Sequence, residues 1–138
     1  MAHSKNVQFI FNKCYEHNLD KIELKLNSVL RLANDLWDKN KKLKNVITVT
    51  GTNGKGGTAF YLKEILQAHG YAVSLFQSPF LYNFLTRFLI NGKPLDEEKF
   101  IDFVIEVDKA NNNQDITFFE YITCIAFKVF AEAKSDFN

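Results

Sequence analysis

Across residues 19–40 apolar side chains recur at Ile22, Leu26, Val29, Leu30, Ala33 and Trp37. That spacing predicts a helix with one buried face. The basic run Lys39, Lys41, Lys42 and Lys44 closes it, where cations suit the carbonyl end of the macrodipole. The period then changes. Residues 46–50 (Val, Ile, Thr, Val, Thr) are β-branched throughout and predict a short buried strand. A glycine-rich bend over residues 51–57 leads into a helix over residues 58–69, with Phe60, Leu62, Ile65 and Leu66 apolar and Gly70 as its stop. Residues 72–76 form a second expected strand. Strand, bend, helix and strand at this length predict a βαβ unit, with parallel strands and a right-handed crossover.

Residues 77–85 are an expected loop centred on Ser78 and Pro79. A third strand is expected over residues 86–90, ended by the turn pair Asn91-Gly92. Asp96 is placed to cap a helix running to about Ala110, with Phe100, Phe103, Val104 and Val107 on one face. After a polar loop at residues 111–115, Thr117 opens a last helix carrying Tyr121, Ile122, Ile125, Ala126, Val129 and Phe130. The expected class is α/β: a P-loop-containing, mostly parallel sheet flanked by helices. Four helices against two or three strands is lopsided for such a sheet, which needs both faces covered and more strands. The last helix should lead into another strand and none is evident, so the chain is expected to be the front part of a larger domain.

Composition narrows the classes. At 138 residues and 16.0 kDa there is room for one domain with a real core. A formal net charge of +1 argues against a dedicated nucleic-acid or anionic-membrane surface. Cys14 and Cys124 are far apart and make no metal spacing, so reduced, buried thiols are expected. The first residues lack a signal-type apolar core, and the apolar run at residues 118–131 is broken by Glu120 and Lys128. These features predict a cytoplasmic chain.

The chemistry concentrates in Thr50-Gly51-Thr52-Asn53-Gly54-Lys55-Gly56-Gly57-Thr58. Glycines let the backbone bring its N–H groups close to a ligand, and the helix start behind them adds unpaired donors and partial positive charge. Lys55 supplies a full charge. The general pattern G-x-x-x-x-G-K-[ST] is not met, because Val49 stands at its first Gly and Gly56 at its Ser/Thr. The flanking strand and helix nonetheless favour phosphate binding over a plain tight turn.

This loop resembles the ATP-binding loop of the folylpolyglutamate synthase/dihydrofolate synthase family, within the Mur ligase superfamily. Gln77-Ser78-Pro79-Phe80-Leu81 looks like that family's second motif, Arg87 with Ile90-Asn91-Gly92 like its continuation, and Thr117-Phe118-Phe119-Glu120 like a third. The resemblance runs from about Leu19 onward and implies an N-terminal segment at residues 1–18 and a partial, Mur-ligase-like ATP-binding domain at residues 19–138. It implies an ATP- and Mg²⁺-dependent ligase that joins L-glutamate to dihydropteroate or to a folate, acting as a monomer without nucleic acid or membrane. Asn53, Gly54, Lys55, Gly56, Gly57 and Thr58 would hold the ATP phosphates, with Lys55 as the catalytic charge. Ser78 would be a Mg²⁺ ligand. Glu23, Leu24, Lys25 and Leu26, with Thr117, Phe118, Phe119 and Glu120, match positions that line the pterin site.

Plainer readings stand beside these. Ser78 before Pro79 also suits a simple turn. Thr117 to Glu120 is also a T-x-x-E capping box. Glu23 and Leu24 also suit the first turn of a helix, and His69 a helix C-terminus. The sequence departs from the family at Gly57, where a Ser or Thr is usual, and at Thr86, where a Glu precedes the Arg. The family's E-V-G-L-G-G stretch, metal-binding His and glutamate-side domain lie beyond Asn138, which predicts a truncated chain without full activity. Two other functions fit the loop: a Mur-type ligase of cell-wall precursors, or a non-catalytic nucleotide-binding remnant.

Overall fold

The computed structural model describes Asn12 and residues 27–36, 43–79 and 83–138. It divides into two compact units, Met1–Lys41 with Glu97–Val129 and Lys42–Asp96 with Phe130–Asn138.

The first unit is helical. Helix α1 spans Asn27–Leu36, and α3 spans Glu97–Asn111 and packs on α1. Helix α4 spans Phe118–Ala133, crossing from this unit into the second. Phe100, Phe103, Val104 and Val107 are buried at the i, i+3, i+4, i+7 spacing read from the sequence. Tyr121, Ile122, Ile125, Ala126 and Val129 of α4 are buried too, and Leu32 of α1 is wholly enclosed. The Tyr121 hydroxyl donates to the Val104 carbonyl at 3.2 Å, so the largest ring of this core also satisfies its polar end. A partly exposed Lys128–Glu106 ion pair at 2.9 Å lies outside that core.

The second unit holds helix α2, Lys55–Ala68, and a three-stranded sheet: β1, Ser74–Phe76; β2, Phe88–Ile90; β3, Lys93–Pro94. Both pairings are antiparallel. Ser74 faces Ile90, Phe76 faces Phe88, and Leu89 faces Pro94. Asn91 (φ 50°) and Gly92 (φ 78°) are both left-handed, the conformation that lets a two-residue hairpin follow the strand twist. A 3₁₀ turn at Phe84–Arg87 precedes β2. The Asn83 side chain caps it, accepting from the Thr86 amide at 3.2 Å. Phe84, Phe88, Leu89 and Leu95 are buried, with the Phe76 and Phe88 rings stacked at 5.3 Å.

Several expectations are corrected. The sheet is not mostly parallel. Residues 46–50 form no strand ladder and are largely exposed, with Val46 at 53% and Ile47 at 43%. Residues 46–50 and β1, expected as parallel strands of one βαβ unit, are not hydrogen-bonded to each other. Phe137 bridges Val73 in parallel: the Ser74 amide donates to the Phe137 carbonyl at 3.0 Å and the Phe137 amide to the Ala72 carbonyl at 3.2 Å. On the other flank the Ile47 amide donates to the Asn138 carbonyl at 2.9 Å and the Asn138 amide to the Asn45 carbonyl at 3.3 Å. Residues 136–138 therefore lie between the two segments, running parallel to both. Residues 136–138 supply the extended segment expected after the last helix, and they separate residues 46–50 from β1. The second and third strands are shorter than expected, because Ala72 and Val73 bond to residues 136 and 137 and Asn91, and the turn at residues 84–87 takes up Thr86 and Arg87. Helix α2 begins three residues earlier than expected, and Asn111 closes α3 as a buried residue rather than opening a loop.

Candidate functional site

The glycine-rich bend ends at Gly54, whose left-handed backbone (φ 78°, ψ −2°) turns the chain into α2. The first helical bond runs from the Thr58 amide to the Gly54 carbonyl at 2.9 Å. That leaves the amides of Lys55, Gly56 and Gly57 ahead of the helical ladder, and no side chain caps the end. These are the donors and the positive dipole end an oxyanion needs. A Cβ on Gly54 or Gly57 would meet nothing within 4 Å, so the space in front of this end is open. At Gly54 the glycine is required by φ rather than by crowding.

Lys55 is folded back over the bend. Its ammonium donates to the Gly51 carbonyl at 2.5 Å and to the Thr52 carbonyl at 3.3 Å. Its charge thus sits on the same loop as the free amides, held by two neutral acceptors that an anion can replace. The structure brings together Asn53, Gly54, Lys55, Gly56, Gly57 and Thr58, with Thr58 exposed in the first turn of α2.

Ser78 follows β1 by two residues, is exposed, and is joined to Pro79 by a cis peptide. The Arg87 guanidinium reaches it, Nη1 lying 3.4 Å from Ser78 Oγ, while resting 5.3 Å from the Phe84 ring centre. Gln77 belongs to this group and was not expected there. Its amide donates to the Arg87 carbonyl at 3.0 Å and its Nε2 to the Thr86 carbonyl at 3.3 Å. Its Oε1 lies 3.9 Å from where a Gly56 Cβ would stand. Gln77 thus spans from the Ser78 loop to the start of α2. Its place at the head of the second motif pointed to it in the sequence, without a role. No group of three or more His, Cys, Asp or Glu side chains able to hold a metal exists among the described residues. The Ser78 hydroxyl is a hard oxygen of the kind a divalent ion takes.

In the helical unit, Thr117 and Glu120 form a complete capping box. The Glu120 amide donates to Thr117 Oγ1 at 3.3 Å, and the Thr117 amide and hydroxyl donate to Glu120 Oε2 at 3.0 and 2.8 Å. Both residues are buried, whereas Phe119 is exposed. Nearby, burial first and then the Glu120 charge push the Cys124 thiol up to about 12, against a lowering by Arg31. Glu23, Leu24, Lys25 and Leu26 lie outside the described residues, as do Phe80, Leu81, Trp37 and Cys14. His69 caps the end of α2, with Nδ1 2.8 Å from the Ile65 carbonyl.

No family model matches the chain. Individual relatives do. It is 36% identical over 135 residues to the dihydrofolate synthase/folylpolyglutamate synthase of Buchnera aphidicola subsp. Schizaphis graminum, covering 97% of this chain and 32% of that protein. It is 32% identical over 115 residues to dihydrofolate synthetase of Saccharomyces cerevisiae, covering 82% of this chain and 27% of that protein. Among solved structures, the bifunctional folylpolyglutamate synthase/dihydrofolate synthase of Yersinia pestis complexed with AMPPNP and a Mn ion superposes with a TM-score of 0.83 at 30% identity, covering 95% of this chain and 32% of that one. The Escherichia coli FolC complex with DHPP and ADP gives 0.79 at 33%, covering 98% and 31%. The chain therefore spans about a third or less of the length of these relatives. Over that span, sequence and fold agree: this chain belongs to the folylpolyglutamate synthase/dihydrofolate synthase family.

Proposed function

We propose that this chain supplies the ATP-phosphate end of a ligase that joins L-glutamate to dihydropteroate or to a folate. The reading rests chiefly on one arrangement: an uncapped helix start, entered through a left-handed glycine, with the Lys55 ammonium held on the same loop. That donor set suits a triphosphate, whose oxygens accept from amides and ammonium alike. In the proposed reaction a substrate carboxylate oxygen attacks the γ-phosphorus and ADP leaves. The glutamate amine then attacks the acyl carbon, an amide forms and phosphate departs. Lys55 exchanges the Gly51 and Thr52 carbonyls for phosphate oxygens and neutralises charge on the transferred group. The Ser78 hydroxyl would help hold Mg²⁺, which would supply charge neutralisation for the phosphates. Arg87 holds the Ser78 side chain, and Gln77 ties the start of that loop to Thr86.

In its relatives, the Yersinia pestis structure carries AMPPNP and Mn and the Escherichia coli structures carry ADP. The nucleotide class proposed here is the same. Isothermal titration of the chain with ATP and Mg²⁺ tests the reading. Saturable binding that weakens about tenfold or more in Lys55→Ala is expected, the size of a lost hydrogen bond to a charged group. Equal affinity in the two proteins, with unchanged thermal transitions, sinks it. The same reading assigns the pterin side to Glu23, Leu24, Lys25, Leu26 and residues 117–120, where Phe119 is the exposed ring.

A further inference from the structure

Gln77 is clamped by the turn that precedes β2, through its main chain and its side chain together. Its backbone amide donates to the Arg87 carbonyl at 3.0 Å, and its Nε2 to the Thr86 carbonyl at 3.3 Å. A backbone carbonyl only accepts, so the Thr86 contact fixes which end of the side-chain amide is nitrogen. The oxygen, Oε1, is thereby turned the other way. It lies 3.9 Å from where a Cβ on Gly56 would stand. The Cα–Cβ directions of a helix tilt toward its N-terminus, so Oε1 faces the uncapped start of α2. Gln77 is only 9% exposed, yet no hydrogen bond satisfies Oε1 among the described residues.

The amides of Lys55, Gly56 and Gly57 and the Lys55 ammonium at this end all donate. A bare phosphate oxygen suits those donors but repels an amide oxygen, because both are acceptors. A divalent cation reverses the sign of that contact. Mg²⁺ keeps several of its waters, and each bound water is a donor. The largely desolvated carbonyl then gains a partner instead of facing another acceptor. We propose that Gln77 is a specificity residue: its carbonyl makes the phosphate end select nucleotide that carries a divalent cation and reject bare nucleotide. The inference rests on the nucleotide reading above and deepens it.

Isothermal titration with ATP in saturating Mg²⁺, and again in EDTA, tests this on the full chain and two variants. Gln77→Met keeps the side-chain length and the main-chain bond to Arg87 but removes the carbonyl. Gln77→Glu adds a negative charge. The ratio of the two affinities is expected to fall about threefold or more in Gln77→Met, the size of one neutral hydrogen bond, and to rise in Gln77→Glu. A side chain that only props the Ser78 loop would weaken both affinities alike, and a ratio unchanged in both variants overturns the proposal. Lys55-dependent ATP binding with a constant ratio overturns this inference alone; absence of ATP binding overturns the nucleotide reading with it. A second measurement uses the unaltered chain and does not depend on how the variants fold. The Gln77 side-chain amide resonances are followed with ATP and Mg²⁺, then with Mn²⁺ in its place. Paramagnetic broadening of the Nε2 protons is expected, and sharp Gln77 signals at saturating ATP and Mn²⁺ overturn the proposal.

Discussion

Arg31 of α1 grips Asn111 at the end of α3 with two donors, Nη2 to Oδ1 at 2.7 Å and Nη1 to the backbone carbonyl at 3.4 Å. The Asn111 Nδ2 in turn donates to the Gln114 carbonyl at 2.8 Å. One buried amide therefore ties α1 to α3 and closes the turn behind α3, where Asn112 and Asn113 take positive φ. Asn111→Ala should cost about 1–3 kcal/mol, the range for stranding buried polar groups. Arg31→Lys should recover little, because an ammonium cannot reproduce a two-pronged fork. A double-mutant cycle by urea denaturation measures the coupling. Additive effects of Arg31→Ala and Asn111→Ala would show that the pair contributes nothing jointly.

The capping box makes a second prediction. Thr117→Ala removes the acceptor of the Glu120 amide and one donor to Glu120, which leaves a buried carboxylate with less support. A loss of about 1–2 kcal/mol is expected, with Thr117→Ser retaining most of it. Glu120→Gln keeps an acceptor oxygen and should cost less than Thr117→Ala. If both Thr117 variants unfold at the wild-type urea midpoint, the box is not stabilising α4.

Helix positions and caps were legible because they depend on neighbours a few residues away. The α3 face at Phe100, Phe103, Val104 and Val107, the Asn91-Gly92 turn and the Thr117–Glu120 pair all followed from local chemistry. Strand partners were not, since β-branched runs carry no address. The parallel sense of residues 46–50 and β1 could be read from their order in the chain, but not the segment between them, residues 136–138, which lies some sixty positions beyond β1. The glycine bend that enters α2 was legible from glycine spacing. The Gln77 contact near Gly56 was not, because glutamine beside a turn has many uses and only the fold brings it to α2.

Gly57 offers a direct test of what the family's usual hydroxyl does. It lies in the first turn of α2, and an added Cβ would meet nothing within 4 Å. Gly57→Ser is therefore sterically free. It should also stabilise the helix by a few tenths to about 1 kcal/mol through reduced chain entropy. If this position faces bound phosphate and metal, the variant should bind ATP more tightly with Mg²⁺ than without it. A gain that is equal in EDTA would assign the effect to the helix alone.

Cys124 gives the chain an alkaline signature. Its thiol is 1% exposed, and burial ahead of the Glu120 charge raises it from 9.0 to about 12. In the unfolded chain the thiol ionises near its ordinary value, so between pH 9 and 12 the folded state holds a proton the unfolded state has lost. The contribution is fully present below pH 9 and is lost as pH rises through the folded value, with a slope up to about 1.4 kcal/mol per pH unit. The measurement is the difference from Cys124→Ala across pH 8.5 to 11, which isolates the thiol. The variant should begin less stable, by the cavity it leaves, and then lose stability more slowly with pH. Parallel stability curves for the two proteins would mean that the folded thiol ionises as readily as the unfolded one. Slow reaction of the native thiol with iodoacetamide at pH 8, accelerating in urea, reports the same burial by a separate route.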